Sequence, residues 1–347
     1  MQYTVYGRKY TIHAISLIRR SLNATIAQVI NLRGGKWINM AKELSNQARW
    51  KPWKGVVLFV ITLVWLLSAS CLSFFISGTI ATFIAQLGFL GIAIVACLIN
   101  KTPLKEVFPL KKITVRDFFG TVLMWIGALP LGLLSALVVG KFMPEAFTDV
   151  TSGLTEVSRG IIVLGFITTV ICPPICEEAI MRGAVLSNFR GIKKDWVIVL
   201  IIGIMFGILH TDPIRFINTS LMGGCLAYLM VKRNNFVLPA MFHFFNNFVT
   251  LGIGIISSAT AEQAAESYTT AEVTAETVNL IPSMMVVAFL CPLLLVLGAH
   301  LIKRQSELDA GEEKKGMKLG AKIGLSVIPC LLLLGGGIAL TMMSMSA

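Results

Sequence analysis

Charge is scarce in this chain. Of its 347 residues only 14% are charged, 55% are hydrophobic, and the mean hydropathy is +0.78. Soluble domains carry roughly 25% charged residues, so a water-facing globule is excluded. No pair of the seven cysteines has C-x-x-C spacing, and all seven lie in apolar stretches. That argues against a disulfide framework or a zinc knuckle and for small buried apolar side chains. No H-E-x-x-H, G-x-S-x-G or Walker A pattern occurs, which removes the ordinary zincins, the α/β-hydrolases and the P-loop NTPases. The first fifty residues are polar and basic and hold no apolar stretch ending in a small-residue cleavage site. No cleavable signal peptide is therefore expected, and insertion begins at the first apolar run.

What the chain does have is long apolar runs. Roughly 20 consecutive apolar residues cross a bilayer as a helix, and about nine such runs stand at 55–76, 78–99, 117–140, 160–188, 196–211, 214–231, 236–257, 281–302 and 319–343. The fold class predicted is all-α, a polytopic transmembrane bundle in the cell membrane. Asp212-Pro213 interrupts the pattern between the fifth and sixth runs. Residues 1–54 read as a cytoplasmic or interfacial arm, with Trp37, Trp50 and Trp53 beside lysines at head-group level. Residues 55–347 read as the bundle, with a catalytic core at about 155–256. Residues 258–280, rich in Ala, Thr and Glu, read as a mobile exterior loop.

The formal charge of +12 would suggest nucleic acid on a soluble protein. Here the basic residues fall between the apolar runs, where they set topology and touch anionic lipid, so no nucleic-acid partner is expected. Basic connections alternate with non-basic ones, with 141–159 mixed and Arg215 standing alone in its connection. The N-terminal segment, then Lys101 to Arg116, then Arg190 to Lys194, then Lys232-Arg233, then Lys303 to Lys318 are rich in Lys and Arg. The Ser77-Gly78 connection has no charge, and 258–280 carries only Glu262, Glu266, Glu272 and Glu276. The positive-inside rule then predicts a cytoplasmic N-terminus and, with nine spans, a C-terminus outside.

Ionisable side chains inside spans mark function by default. Nearly all of them stand in three neighbouring spans: Glu177, Glu178 and Arg182 in one, His210 in the next, His243 with the amide of Asn247 in the third. Residues four apart share a helix face. Glu178 and Arg182 are so placed and can neutralise each other. Glu177 lies about 100° round the helix, without a partner on its own helix, and is the free functional carboxylate. The alternative is that both glutamates pair with Arg182. Gly203, Phe206, Gly207 and His210 form one stripe whose small residues allow close helix approach, so His210 faces a neighbouring helix. His243 and Asn247 share a face as well. Pro173-Pro174 predicts a kink just before the glutamates.

A buried glutamate is a competent general base for water, and histidine and asparagine N–H groups can stabilise an oxyanion. The same set offers another chemistry, because Glu177, His210 and His243 would be three ligands for a divalent metal such as zinc. The cofactor is thus none or one such ion. A proton-coupled transporter with a Glu177, His210 and His243 relay and a non-catalytic immunity or partner-binding membrane protein are the rival functions.

Glu177 to Arg182 reads E-E-x-x-x-R, Phe206 to His210 reads F-x-x-x-H, and His243 to Asn247 reads H-x-x-x-N. In order and spacing these motifs resemble the CAAX-protease and bacteriocin-processing family, also called Abi, which includes the type II CAAX prenyl endopeptidases. The resemblance covers roughly 155–250. It implies an intramembrane endopeptidase acting on a membrane-associated peptide or protein. It also implies roles: Glu177 activates water, His210 helps hold it, His243 and Asn247 form the oxyanion site, and Glu178 and Arg182, with Phe206, support the helix. The depth of His243, about 10 Å from the basic connection before it, predicts a site open to the cytoplasmic side. His210, near the far end of its span, fits this less well.

Overall fold

The computed structural model describes residues 50–150, 162–264, 279–302 and 317–346. The chain divides into two compact units, Met1–Lys51 and Pro52–Ala347, and the second holds every helix named below. The expected N-terminal arm lies almost wholly outside the described residues, as does most of 258–280.

Helices account for every regular element among the described residues. They are α1 (Pro52–Ser70), α2 (Gly78–Ile99), α3 (Val115–Phe142), α4 (Val163–Val185), α5 (Asp195–Leu209), α6 (Pro213–Arg233), α7 (Val237–Ala264), α8 (Ile281–Leu301) and α9 (Leu319–Ser346). Eight of these stretches are long and apolar enough to cross a bilayer, and the protein is a multi-pass membrane protein. The ninth expected span, α5, is a shorter apolar helix of 15 residues. At 1.5 Å per residue it covers about 22 Å, less than the roughly 30 Å hydrocarbon core. Thr211-Asp212-Pro213 ends it early: Asp212 caps α6 by accepting from the Ile214 N–H at 2.8 Å, and Thr211 turns through a positive φ of 52°. The helix α7 outruns its expected end. The alanine and glutamate after Thr260 are good helix formers, and it continues to Ala264.

Burial shows which helices form the centre. Half of the apolar window of α4 and half of that of α6 is buried inside the protein, against 17% for α7, α8 and α9. Ile180, Met181, Ala184, Val185 and Leu186 are completely buried, so the helix that carries the glutamates is the axis of the bundle. The helices α5 and α6 pack closely on one another because glycine removes the side chains between them. A Cβ on Gly203 would stand 2.8 Å from the Ser220 carbonyl oxygen, and one on Gly207 2.8 Å from that of Phe216. The small-residue stripe expected to face a helix does so.

The two ends of the bundle differ. At one end polar bonds tie the connections together. Arg233 pairs with Asp117 at 2.7 Å, with both side chains buried, and Lys232 pairs with Asp195 at 3.0 Å. Asp117 also closes a capping box with Thr114 at the start of α3. Asn235 bonds the backbone of Lys111 in both directions, and Arg116 Nε donates to the Leu301 carbonyl at 2.7 Å. This end gathers the basic connections. The other end holds the Ser77-Gly78 turn, the Thr211–Pro213 turn and the end of α7. The short α5 still runs from one to the other, since Asp195 meets Lys232 while Gly207 meets Phe216.

Candidate active site

The site begins with an irregularity in α4. Ile167–Ile171 and Ala179–Val185 are π-helical turns flanking the α-helical Cys172–Glu178. Proline has no N–H to give the helix ladder, so Pro173 cannot bond the Thr169 carbonyl four residues back. That carbonyl is taken up from another helix: Asn247 Nδ2 donates to it at 2.9 Å. The expected kink is therefore a pair of π-bulges, and Asn247 on α7 pins one of them.

The two adjacent glutamates are treated differently, as their spacing predicts. Glu178 is fully buried, and its Oε1 accepts from Arg182 Nη1 at 3.0 Å and from His243 Nδ1 at 2.8 Å. Arg182, also fully buried, donates from Nη2 to the Gly223 carbonyl at 3.3 Å and lies 4.1 Å over the centre of the Phe206 ring. A buried arginine requires such a set of partners, and the bare backbone of Gly223 lets Phe206 and Arg182 reach it. Phe206 then wedges both histidines, edge to face, at 4.8 Å from His210 and 5.9 Å from His243 between ring centres. Glu178 and Arg182 form the pair that their spacing of four allows, with Phe206 packed against the guanidinium.

Glu177 meets that network only at its edge. Its Oε2 stands 4.0 Å from His243 Nε2. Its Oε1 accepts from Gln86 Nε2 on α2 at 2.7 Å. The sequence motifs do not point to Gln86. It is the one amide in a span whose other polar side chains are Thr79 and Thr82, and attention to ionisable groups alone passes over it. It is buried, and its own Oε1 has no hydrogen-bond partner among the described residues.

Hydrogen-bond partners set the histidine tautomers. A carboxylate only accepts, so Nδ1 of His243 carries the hydrogen toward Glu178. A carbonyl only accepts, so Nδ1 of His210, 2.9 Å from the Phe206 oxygen, carries one too. In the neutral rings each Nε2 then keeps its lone pair.

A cavity of about 740 Å³ reaches Glu177, within the 300–1,000 Å³ common for ligand sites. Gln86, Phe89 and Glu177 form its deep part, Leu209, His210, Thr211 and Arg215 one flank, and the hydroxyls of Ser70, Ser73, Thr79 and Thr82 another. His243 and Asn247 are not among its lining residues. Of the expected set, then, Glu177 and His210 meet in the cavity, His243 lies behind Glu177, and Asn247 is engaged with the α4 backbone.

The cavity opens beside the Ser77-Gly78 and Thr211–Pro213 turns, at the end of the bundle away from the basic connections. His243, from which the depth of the site was read, is only 6% exposed. As for metal, no three His, Cys, Asp or Glu side chains among the described residues are grouped so that they could hold an ion. Glu177, His210 and His243 do not fit a common ion in this arrangement.

Residues 159–249 match the family model described as type II CAAX prenyl endopeptidase Rce1-like. This is the family that the three motifs resemble, and the matched segment contains all of them. It implies a membrane protease acting on a membrane-associated peptide or protein. No curated protein and no solved structure matches the chain.

Proposed function

From the Rce1-like match over residues 159–249, we propose that the protein is an intramembrane endopeptidase in which Glu177 activates water. The observation that carries this is the division of labour between adjacent glutamates. Glu178 is consumed by Arg182 and His243, while Glu177 reaches the cavity, held by one hydrogen bond from Gln86.

The proposed sequence is short. A water beside Glu177 also donates to the Nε2 lone pair of His210, which turns its oxygen toward a scissile carbonyl. Glu177 takes one proton as that oxygen attacks the carbonyl carbon. The carbonyl π-electrons move to oxygen, giving a tetrahedral oxyanion. When the C–N bond breaks, Glu177 returns the proton to the leaving amine nitrogen. Donors aimed at the oxyanion supply the largest single gain in such reactions. His243 can serve from Nε2 only as the imidazolium, flanked by Glu178 and Glu177. Asn247 has one N–H committed to Thr169 and one left, so we assign it first to holding the α4 bulge and second to the oxyanion.

The test compares peptide and protein termini in membranes carrying wild type or Glu177→Gln at matched levels. Termini lost only in the variant support the reading and name the substrate. Unchanged termini with an intact wild-type phenotype in the variant would favour the immunity or partner-binding function instead. Chelators are expected to leave cleavage unchanged. Loss of cleavage, restored by zinc, would return Glu177, His210 and His243 to the role of ligands.

A further inference from the structure

The connection between α2 and α3 joins two helices long enough to cross a bilayer, so it lies at a membrane surface. Residues 101–115 carry Lys101, Lys105, Lys111 and Lys112 against a single acid, Glu106. Apolar side chains stand exposed among these lysines: Leu110 and Val115 are each 74% exposed, and Leu104 and Ile113 are exposed as well. No ion pair among the described residues takes Lys105, Lys111 or Lys112. Such an alternation suits the bilayer interface, where apolar side chains enter the acyl boundary and lysine stems carry their ammonium groups up to the head groups. Head groups of net negative charge complement it.

The inner face of the same connection is fixed to the helices of the site. Phe108 lies on Gly183 in the second π-helical turn of α4, where a Cβ would overlap its ring. That ring also meets Phe236 edge to face at 5.8 Å between centres. The Pro109 carbonyl accepts from the Phe236 N–H at 2.7 Å, and Asn235 holds the Lys111 backbone. Gly183 is five residues beyond Glu178, and Phe236 is seven before His243, about 8 Å and about 10 Å along the chain at helical rise. One strap therefore presents lysines and apolar side chains outward and grips the ends of α4 and α7 inward.

We propose that residues 104–115 form a binding strap for anionic phospholipid, and that a bound head group clamps the ends of α4 and α7, the helices that carry Glu178 and His243. A ligand that binds only the folded state stabilises it in step with its occupancy. Zwitterionic lipid, with no net charge to offer the lysines, does not fill the strap. Neither part requires peptide cleavage.

Two measurements on the full chain test this. Phosphatidylglycerol is titrated into the protein in detergent and counted on it by native mass spectrometry, and melting temperature is read in nanodiscs of phosphatidylcholine with or without phosphatidylglycerol. Lys105→Gln, Lys111→Gln and Lys112→Gln are combined in one strap variant; all three side chains are exposed, so folding is spared. Lys141→Gln, Lys318→Gln and Lys322→Gln, also at exposed positions, make a control of equal charge. Each lysine at an anionic surface contributes about fivefold, so the strap variant should bind phosphatidylglycerol roughly 10- to 100-fold more weakly and the control little differently from wild type. Wild type and control should melt at least about 2 °C higher with phosphatidylglycerol than without, and the strap variant should show no such rise. Equal binding by the strap variant, a rise that persists in it, or a rise lost equally in the control overturns the proposal. So does inorganic phosphate in detergent that reproduces the rise, because the ligand would then be a free anion and not a lipid.

Discussion

The basic end of the bundle and its cavity end use polar groups for opposite purposes. At the basic end, charges are spent on one another: Asp117 serves a capping box and a buried Arg233 at once. At the cavity end, polar atoms are held back from full use. Gln86 Oε1 is buried without a hydrogen-bond partner among the described residues, Glu177 keeps an oxygen 4.0 Å from His243, and Thr211, a β-branched residue, sits at positive φ, as Lys101 and Asn234 do in the basic connections, a conformation that costs about 1–3 kcal/mol. A buried group left unsatisfied is destabilising. Beside the cavity that group is Gln86 Oε1, and in the basic connection after α6 it is Asn234 Oδ1. One end is tied by paired charges, and the other carries the cavity that Glu177 reaches.

The sharpest way to break this contrast is inside two consecutive residues. Glu177→Gln keeps shape and removes the base, so cleavage should fall by roughly 10²–10⁴-fold at an unchanged membrane level. Glu178→Gln leaves Arg182 buried beside a neutral partner, which costs about 3–5 kcal/mol, so the protein should lose thermal stability in detergent and accumulate poorly. If the two substitutions exchanged phenotypes, the assignment of roles would be reversed.

The basic end should fail differently. Arg233→Ala strands Asp117 in a buried position, again at about 3–5 kcal/mol. Cleavage per folded molecule is expected to stay near wild type, because nothing from that end lines the cavity. Melting temperature and specific activity, measured on the same preparation, separate the two effects.

Much of this is legible in the sequence because the deciding interactions are local. The Glu178–Arg182 pair is four residues apart, and the glycine stripe that meets α6 repeats at i and i+4. Apolar length locates eight of the nine expected spans, and α5, at 15 residues, falls short. The rest is hidden because it crosses the chain. Gln86 reaches Glu177 over 91 residues, and Asn247 answers a carbonyl freed by Pro173 from 78 residues away. The H-x-x-x-N spacing marks His243 and Asn247 as neighbours on one face but not what each one meets. The side on which the cavity opens depends on helices α1 and α2, outside the segment with the motifs.

The glycine stripe offers a smaller, geometric perturbation. A methyl at Gly207 would stand 2.8 Å from the Phe216 backbone oxygen, and backbone cannot step aside as a flexible side chain can. Gly207→Ala should therefore push α5 from α6 and carry His210, three residues on, with it. Displacement of a positioning group by about 1 Å costs on the order of 100-fold in rate. Gly191→Ala, where no atom lies within 4 Å, is the matched control and should be silent.

The smallest expected effect is the most informative about where the site ends. Gln86 lies outside the matched segment of 159–249, so the motifs alone give it no role. Its hydrogen bond to a carboxylate is worth about 1.5–3 kcal/mol, and if that energy orients Glu177 for proton transfer, Gln86→Ala should lower kcat by roughly 10- to 100-fold. KM should change little, because the substrate does not need Gln86 to enter. Gln86→Asn keeps the amide one methylene short and should recover little, whereas a merely space-filling role would be rescued by Gln86→Met. Rescue by methionine would return the site to the three motifs. Failure of that rescue would extend it to α2 and make the wall of the cavity part of the catalytic apparatus.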